Sequence, residues 1–244
     1  MAEQIFNNQR RAVCPQVDSN SARLPNQNRY NPNDTEHIYN VVARPESPQT
    51  RFERGSDANL IDLGSGSLKK TDKIGSPGLV DLEAEIYSYL ESVDFKHMPT
   101  TFELDPSFIE MERLGDGTSL EDFAVAAATG LMFADQWVEI CKKCRSVIEE
   151  FHELGMIHGD LHPGNIVIIL DKDNGFIPYL IDFSYSSHID KVDEKLELLN
   201  SRNVQFKADH DYSQYGDWDR LESGLTNLFE DQNRDYRRGL SVLF

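Results

Sequence analysis

Apolar residues recur at three- and four-residue steps between 135 and 153, where Trp137, Ile140, Cys141, Cys144, Val147, Ile148 and Phe151 make one stripe of an amphipathic helix. Downstream the pattern changes. Ile166 to Leu170 and Ile177 to Ile181 are short apolar runs, and Asp171-Lys-Asp-Asn-Gly175 between them carries turn chemistry, so the segment reads as a hairpin. Upstream, Leu82 to Leu90 reads as a second helix with Leu82, Ile86, Tyr89 and Leu90 on one face. Phe108 to Leu114 reads as a strand entering the turn Gly115-Asp-Gly117, and Asn59 to Leu63 with Gly64-Ser-Gly-Ser67 as a strand and tight turn. The first 50 residues differ: eleven Asn or Gln fall among residues 1 to 33 with no apolar period, and 1–50 is expected to be a disordered tail rich in Asn, Gln and Pro.

Chemistry concentrates around the hairpin. The loop before it is His158-Gly-Asp-Leu-His-Pro-Gly-Asn165, and Asp182-Phe-Ser184 follows it, 17 residues after Asn165. Transfer of a γ-phosphoryl group needs a carboxylate near the acceptor hydroxyl and oxygen ligands for Mg²⁺. Asp160 suits the first task, and Asn165 with Asp182 the second. A lone H-x-D is common by chance, and Asn165 or Asp182 alone serves equally to cap or turn the backbone. The reading rests on all three bracketing one hairpin behind one helix.

These segments resemble the protein kinase-like superfamily, whose catalytic loop runs H-x-D-x-x-x-x-N and whose metal loop runs D-F-G. The form HGDLHPGN is similar to aminoglycoside phosphotransferases and other atypical kinases. The resemblance implies an α+β, two-lobed protein kinase-like fold with a truncated C-lobe, the N-lobe over 51–114 and the C-lobe over 115–244. It implies ATP and Mg²⁺ as cofactors and a strand lysine beside the phosphates. Lys69, in Ser67-Leu-Lys-Lys70, is the first choice; Lys70 and Lys73 are alternatives, because a one-residue shift exchanges which side chain faces inward. Glu83 would orient that lysine, with Glu85 as alternative. Gly55 would belong to the loop over the nucleotide, Met111 to the gatekeeper position, and Glu112 to Leu114 to the hinge that holds adenine. His158 would support the catalytic loop rather than act as a base. Tyr215 to Leu221 resembles the start of the helix whose aspartate braces that loop, Asp217 being the first choice and Asp219 the second.

The departures also carry expectations. Gly159 stands where regulated kinases have the arginine that pairs with a phosphorylated activation loop, so switching by that route is not expected. Ser184 replaces the glycine of D-F-G, and Arg54-Gly-Ser-Asp57 has one glycine where the family has three. Only 27 residues follow Asp217, and no A-P-E motif lies between it and Asp182, which suggests a minimal kinase. The expected activity is constitutive phosphorylation of a protein serine or threonine. A small-molecule, aminoglycoside-like acceptor is the alternative, and a pseudokinase serving as a binding module is the third reading. Leu60-Ile-Asp-Leu-Gly-Ser-Gly-Ser67 also resembles the glycine loop of methyltransferases, but the polar stretch after it, broken by Gly75, Pro77 and Gly78, is not the long helix such a loop opens.

Composition narrows the partners. A net charge of −18 disfavours nucleic acid and anionic membranes and favours a cationic protein segment or small cationic substrate, or simply keeps the chain soluble. No apolar run reaches transmembrane length and Met1 to Arg11 lacks a signal-peptide stretch, so an intracellular, cytoplasmic protein is expected. Cys141 and Cys144 form a single C-x-x-C on the apolar helical stripe, where core packing accounts for both.

Overall fold

The computed structural model describes residues 58–115, 117–173, 175–204, 211–228 and 234–244. The expected tail over 1–50 and Gly55 lie outside the described residues. Strands β1 (Ala58–Gly64) and β2 (Ser67–Asp72) form an antiparallel hairpin. Its two-residue turn has Ser65 at φ 50° and Gly66 at φ 86°. Positive φ at both central positions matches the right-handed twist of the flanking strands. The glycine stretch that resembled a methyltransferase loop is therefore a hairpin turn.

Helix α1 (Val80–Ser92) follows, then β3 (Thr101–Asp105) and β4 (Phe108–Glu112). The four strands make one antiparallel sheet in the order β1-β2-β4-β3. Asp72, at the end of β2, starts the helix: its Oδ1 accepts the Leu79 and Val80 backbone N–H groups at 2.9 and 3.2 Å, satisfying donors that a helix N-terminus leaves open. The buried face of α1 carries Val80, Ala84, Tyr87 and Leu90, and packs with Leu68, Ile109 and Met111 of the sheet. Ile86 and Tyr89 are only partly buried, so the inward face is rotated from the expected one and includes Tyr87.

A short linker leads to β5 (Thr118–Ser119), α2 (Leu120–Ala128) and the long helix α3 (Ala134–Glu153). The α3 stripe from Trp137 to Phe151 is buried, as its spacing predicts. After α3 come β6 (Met156–Ile157), β7 (Ile166–Asp171), β8 (Gly175–Leu180) and β9 (Ser187–His188). β7 and β8 are the predicted hairpin and pair with β5 in the order β5-β7-β8, while β6 pairs with β9. Helices α4 (Val192–Ser201), α5 (Gln214–Asn227) and α6 (Arg234–Leu243) complete the described residues. Tyr236 of α6 stacks on Trp137 with ring centroids 5.4 Å apart and accepts the indole N–H on its carbonyl at 3.0 Å. That contact ties the last helix to α3. Both cysteines are buried free thiols on α3, and burial pushes each thiol well above its ordinary pKa. No helix among the described residues is long and apolar enough to cross a membrane.

Candidate active site

The site is built from β2, α1 and the loops that follow β6 and β8. The β6–β9 ladder pairs Met156 with His188 and Ile157 with Ser187, bringing the loop after β6 beside the segment that follows Asp182. The Ile181 N–H donates to the Asn165 carbonyl at 3.1 Å, which holds the ends of the two loops together.

Asp217 organises the loop from below. It is 1% exposed, and its carboxylate accepts the backbone N–H groups of His158 at 2.7 Å and Gly159 at 2.9 Å and faces His152 Nε2 at 3.1 Å. A carboxylate holding consecutive amides fixes their orientation as no water could. Asp219 is exposed. His158 is wholly buried, its Nε2–H donates to the Ile181 carbonyl at 3.0 Å, and burial holds its pKa below the ordinary imidazole value. A neutral, fully enclosed ring supports the loop and has no access to a substrate proton.

Asp160 stands at the open side of this scaffold, its side chain 40% exposed. His162 is its neighbour, with Nε2 3.9 Å from Asp160 Oδ2. Gly164 donates its N–H to His162 Nδ1 at 3.1 Å, so the imidazole proton resides on Nε2, facing the carboxylate. Asn165 Nδ2 donates to the Asp160 carbonyl at 2.9 Å, which leaves the amide oxygen out of that bond.

The cation of the site comes from β2, and it is Lys70. Its Nζ lies 2.6 Å from Glu83 Oε2 and 2.9 Å from Asp182 Oδ1. Lys69, expected here, points to the opposite face of the strand, with its ammonium 3.4 Å from the centroid of the Phe108 ring. The reason is strand periodicity: Leu68 is buried in the core, and side chains two apart share a face, so Lys70 follows Leu68 inward. Glu83 is wholly buried while Glu85 is exposed. Burial works to lower the Lys70 pKa, but the two carboxylates outweigh it and hold the ammonium above its ordinary value. Burial likewise works to raise Asp182, and Lys70 outweighs it, keeping that carboxyl below its ordinary value. Glu83 differs: burial outweighs the attraction of Lys70 and holds its carboxyl above the ordinary value.

Asp182 has the left-handed conformation, φ 64° and ψ 66°, which turns the chain sharply after β8. Phe183 is thereby buried between the lobes, edge-on to Tyr87 of α1 at 5.1 Å, stacked near Phe151 of α3 at 5.8 Å and 5.4 Å from His158. With Oδ1 engaged by Lys70, the Asp182 carboxylate retains Oδ2, and with Asn165 Oδ1 it offers two hard oxygen donors. Such donors fit Mg²⁺.

Gly159 also has a structural cause. It sits at φ 77°, and a Cβ there would lie 2.4 Å from the Tyr185 carbonyl oxygen. That oxygen also accepts the Tyr212 hydroxyl, and Arg220 donates to the Gly159 carbonyl. The chain after Asp182 thus crosses where an arginine side chain would begin. Further on, α4 packs on α1: Arg202 makes a bidentate pair with Asp81 at 2.6 and 2.7 Å, and Leu199 and Val204 cluster with Leu79 and Leu82. Lys195 is buried beside this contact, and burial pushes its pKa down to about 8. The sequence reading missed this clamp, whose Arg202–Asp81 pair joins residues far apart in the chain.

Met111 is buried at the end of β4 and receives the Tyr87 hydroxyl on its sulfur at 3.8 Å. Glu112 donates its N–H to the Thr100 carbonyl at 2.7 Å, and the Leu114 carbonyl accepts from Gly117 at 2.8 Å. These three residues form the passage between the lobes. It runs close over β7, where a Cβ on Gly117 would meet Val167 Cγ1 at 2.5 Å.

Residues 89–224 match the sequence model of the lipopolysaccharide kinase (Kdo/WaaP) family. No curated protein matches the chain.

Proposed function

The chain belongs to the lipopolysaccharide kinase (Kdo/WaaP) family, a kinase family within the protein kinase-like superfamily, and from that premise we propose that it transfers the γ-phosphoryl group of ATP to a hydroxyl of a small, sugar-like acceptor. The observation that carries the reading is the cluster in which Lys70 bridges Glu83 and Asp182, set beside the loop that presents Asp160 and Asn165. In this reading Asp160 accepts the acceptor's proton as its oxygen bonds to the γ-phosphorus. The bond to the bridging oxygen breaks, and ADP leaves with that electron pair. Lys70, oriented by Glu83, contacts the phosphates. Mg²⁺, held by Asn165 and Asp182, would neutralise charge developing on the phosphoryl oxygens. Met111 and the backbone from Glu112 to Leu114 line the adenine end.

The family's name supports a saccharide-type acceptor over the protein serine or threonine expected from sequence. Charge refines the class. With a net charge of −18 over the chain, and Glu121 placed near Gly164 of the catalytic loop, a neutral or amine-bearing hydroxyl compound is favoured over a polyanion.

The test is transfer of labelled γ-phosphate from ATP with Mg²⁺ to three acceptor sets: neutral and acidic sugars, hydroxylated amines, and a generic basic protein. Label on a small hydroxyl compound supports the proposal. Label confined to protein would overturn the acceptor assignment in favour of a protein kinase. Mg·ATP binding without label in any set, across a broad panel, would favour the pseudokinase reading.

A further inference from the structure

Ser184 occupies a place in the Lys70–Glu83–Asp182 cluster that the phosphotransfer chemistry above does not use. Its Oγ lies 2.9 Å from Glu83 Oε2 and 3.1 Å from Asp182 Oδ1. Lys70 Nζ lies 2.6 and 2.9 Å from the same two oxygens. The hydroxyl and the ammonium therefore close a four-cornered ring, each bridging one carboxylate of α1 and one of the loop after β8. The left-handed turn at Asp182 makes this possible by folding Phe183–Tyr185 back, so that Ser184 returns to the carboxylate two residues before it. Ser184 is 6% exposed and Glu83 0%, so water does not replace the hydroxyl's proton there.

The two bridges differ in what they do when nucleotide arrives. On the proposed function, Lys70 shares its charge with the phosphates, and its hold on the two carboxylates weakens. The hydroxyl proton, donated to one carboxylate or shared between both, stays between Glu83 and Asp182. A glycine at this position supplies nothing. We propose that Ser184 is a positioning residue whose hydroxyl keeps Glu83 joined to Asp182 while Lys70, still paired with Glu83, shares its charge with the nucleotide, so that α1 stays docked and Asp182 stays aimed at the metal side. This rests on the phosphotransferase reading for its role with nucleotide. The link between the two segments stands without it.

The experiment compares the native chain with Ser184→Ala, which removes only Oγ, Ser184→Gly, which restores D-F-G, and Ser184→Thr, which keeps the hydroxyl. Two quantities are read: the dissociation constant for Mg·ATP, and hydrogen exchange without nucleotide over residues 80–92 and 181–187. Loss of one hydrogen bond to a charged group should weaken Mg·ATP binding roughly tenfold in the Ala and Gly variants. Exchange should quicken in both segments while α3 stays protected, and Ser184→Thr should recover most of each effect. Binding and exchange unchanged in Ser184→Ala would overturn the proposal. So would faster exchange spread evenly through α3, which marks a general loss of packing. A native chain that binds no Mg·ATP would refute the phosphotransferase reading, and the exchange comparison would still decide whether Ser184 links the two segments.

Discussion

Replacing Lys70 by methionine should cost the fold far more than the same change at Lys69. Lys70 Nζ is 2.6 Å from a glutamate that is wholly enclosed, so removing it leaves the Glu83 carboxylate facing Asp182 with no cation between them. Breaking a buried pair from one side costs about 3 to 5 kcal/mol. The Asp182 side chain is 43% exposed and regains solvation, so the lower end, about 3 kcal/mol, is the estimate for this site. For a chain of this size that is a fall in Tm of roughly 6 to 12 °C. Lys69→Met loses only a cation–π contact with Phe108, about 0.5 to 1 kcal/mol, or roughly 1 to 4 °C. The assay is thermal unfolding of both variants and the native chain without nucleotide, at pH 7 and pH 5. The sign with pH follows from linkage. In the native chain Asp182 is held below its ordinary value, so its stabilisation is present above 3.8 and is lost as pH falls through the lower folded value. Burial already holds the Glu83 carboxyl above its ordinary 4.5 in the native chain, and removing Lys70 takes away the attraction that opposes it, so the added cost of the buried charge is largest at high pH. The Lys70→Met deficit should therefore narrow from pH 7 to pH 5. Equal losses in the two variants, or a deficit that widens at pH 5, would refute the reasoning.

Two further perturbations test the scaffold. Gly159→Ala sets a Cβ 2.4 Å from the Tyr185 oxygen at a left-handed φ, and should lower stability in urea unfolding by about 2 kcal/mol or more. Asp217→Asn keeps the shape but turns an NH₂ toward at least one of the donors from His152, His158 and Gly159; a loss of about 1 to 3 kcal/mol and faster amide exchange at His158 and Gly159 are expected.

The α3 stripe, the β7–β8 hairpin and the loop between them were legible because each has its own period or turn chemistry, with residues close in sequence. Lys69 was chosen by likeness of a four-residue string. The deciding fact was where Leu68 points, and applying strand alternation to Leu68 selects Lys70 from the sequence alone. Glu83 was chosen because Ile86, Tyr87 and Leu90 follow it at the offsets common in the corresponding kinase helix; of these Tyr87 and Leu90 are buried and Ile86 only partly. The roles of Ser184, Gly159 and Arg202 were not legible. Each depends on a contact across long stretches of chain, Ser184 to Glu83, Gly159 to Tyr185 and Arg202 to Asp81, and no local pattern encodes those.

The most direct test of the central claim is conversion of Mg·ATP to ADP with the γ-phosphate captured on a sugar-like hydroxyl acceptor, for the native chain beside Asp160→Asn. Among the described residues the nearest ionic partner of the Asp160 carboxylate is His162 at 3.9 Å, so the variant should stay folded and bind Mg·ATP. Transfer by the native chain and none by the variant is the expected result. Transfer at equal rates by both would contradict it.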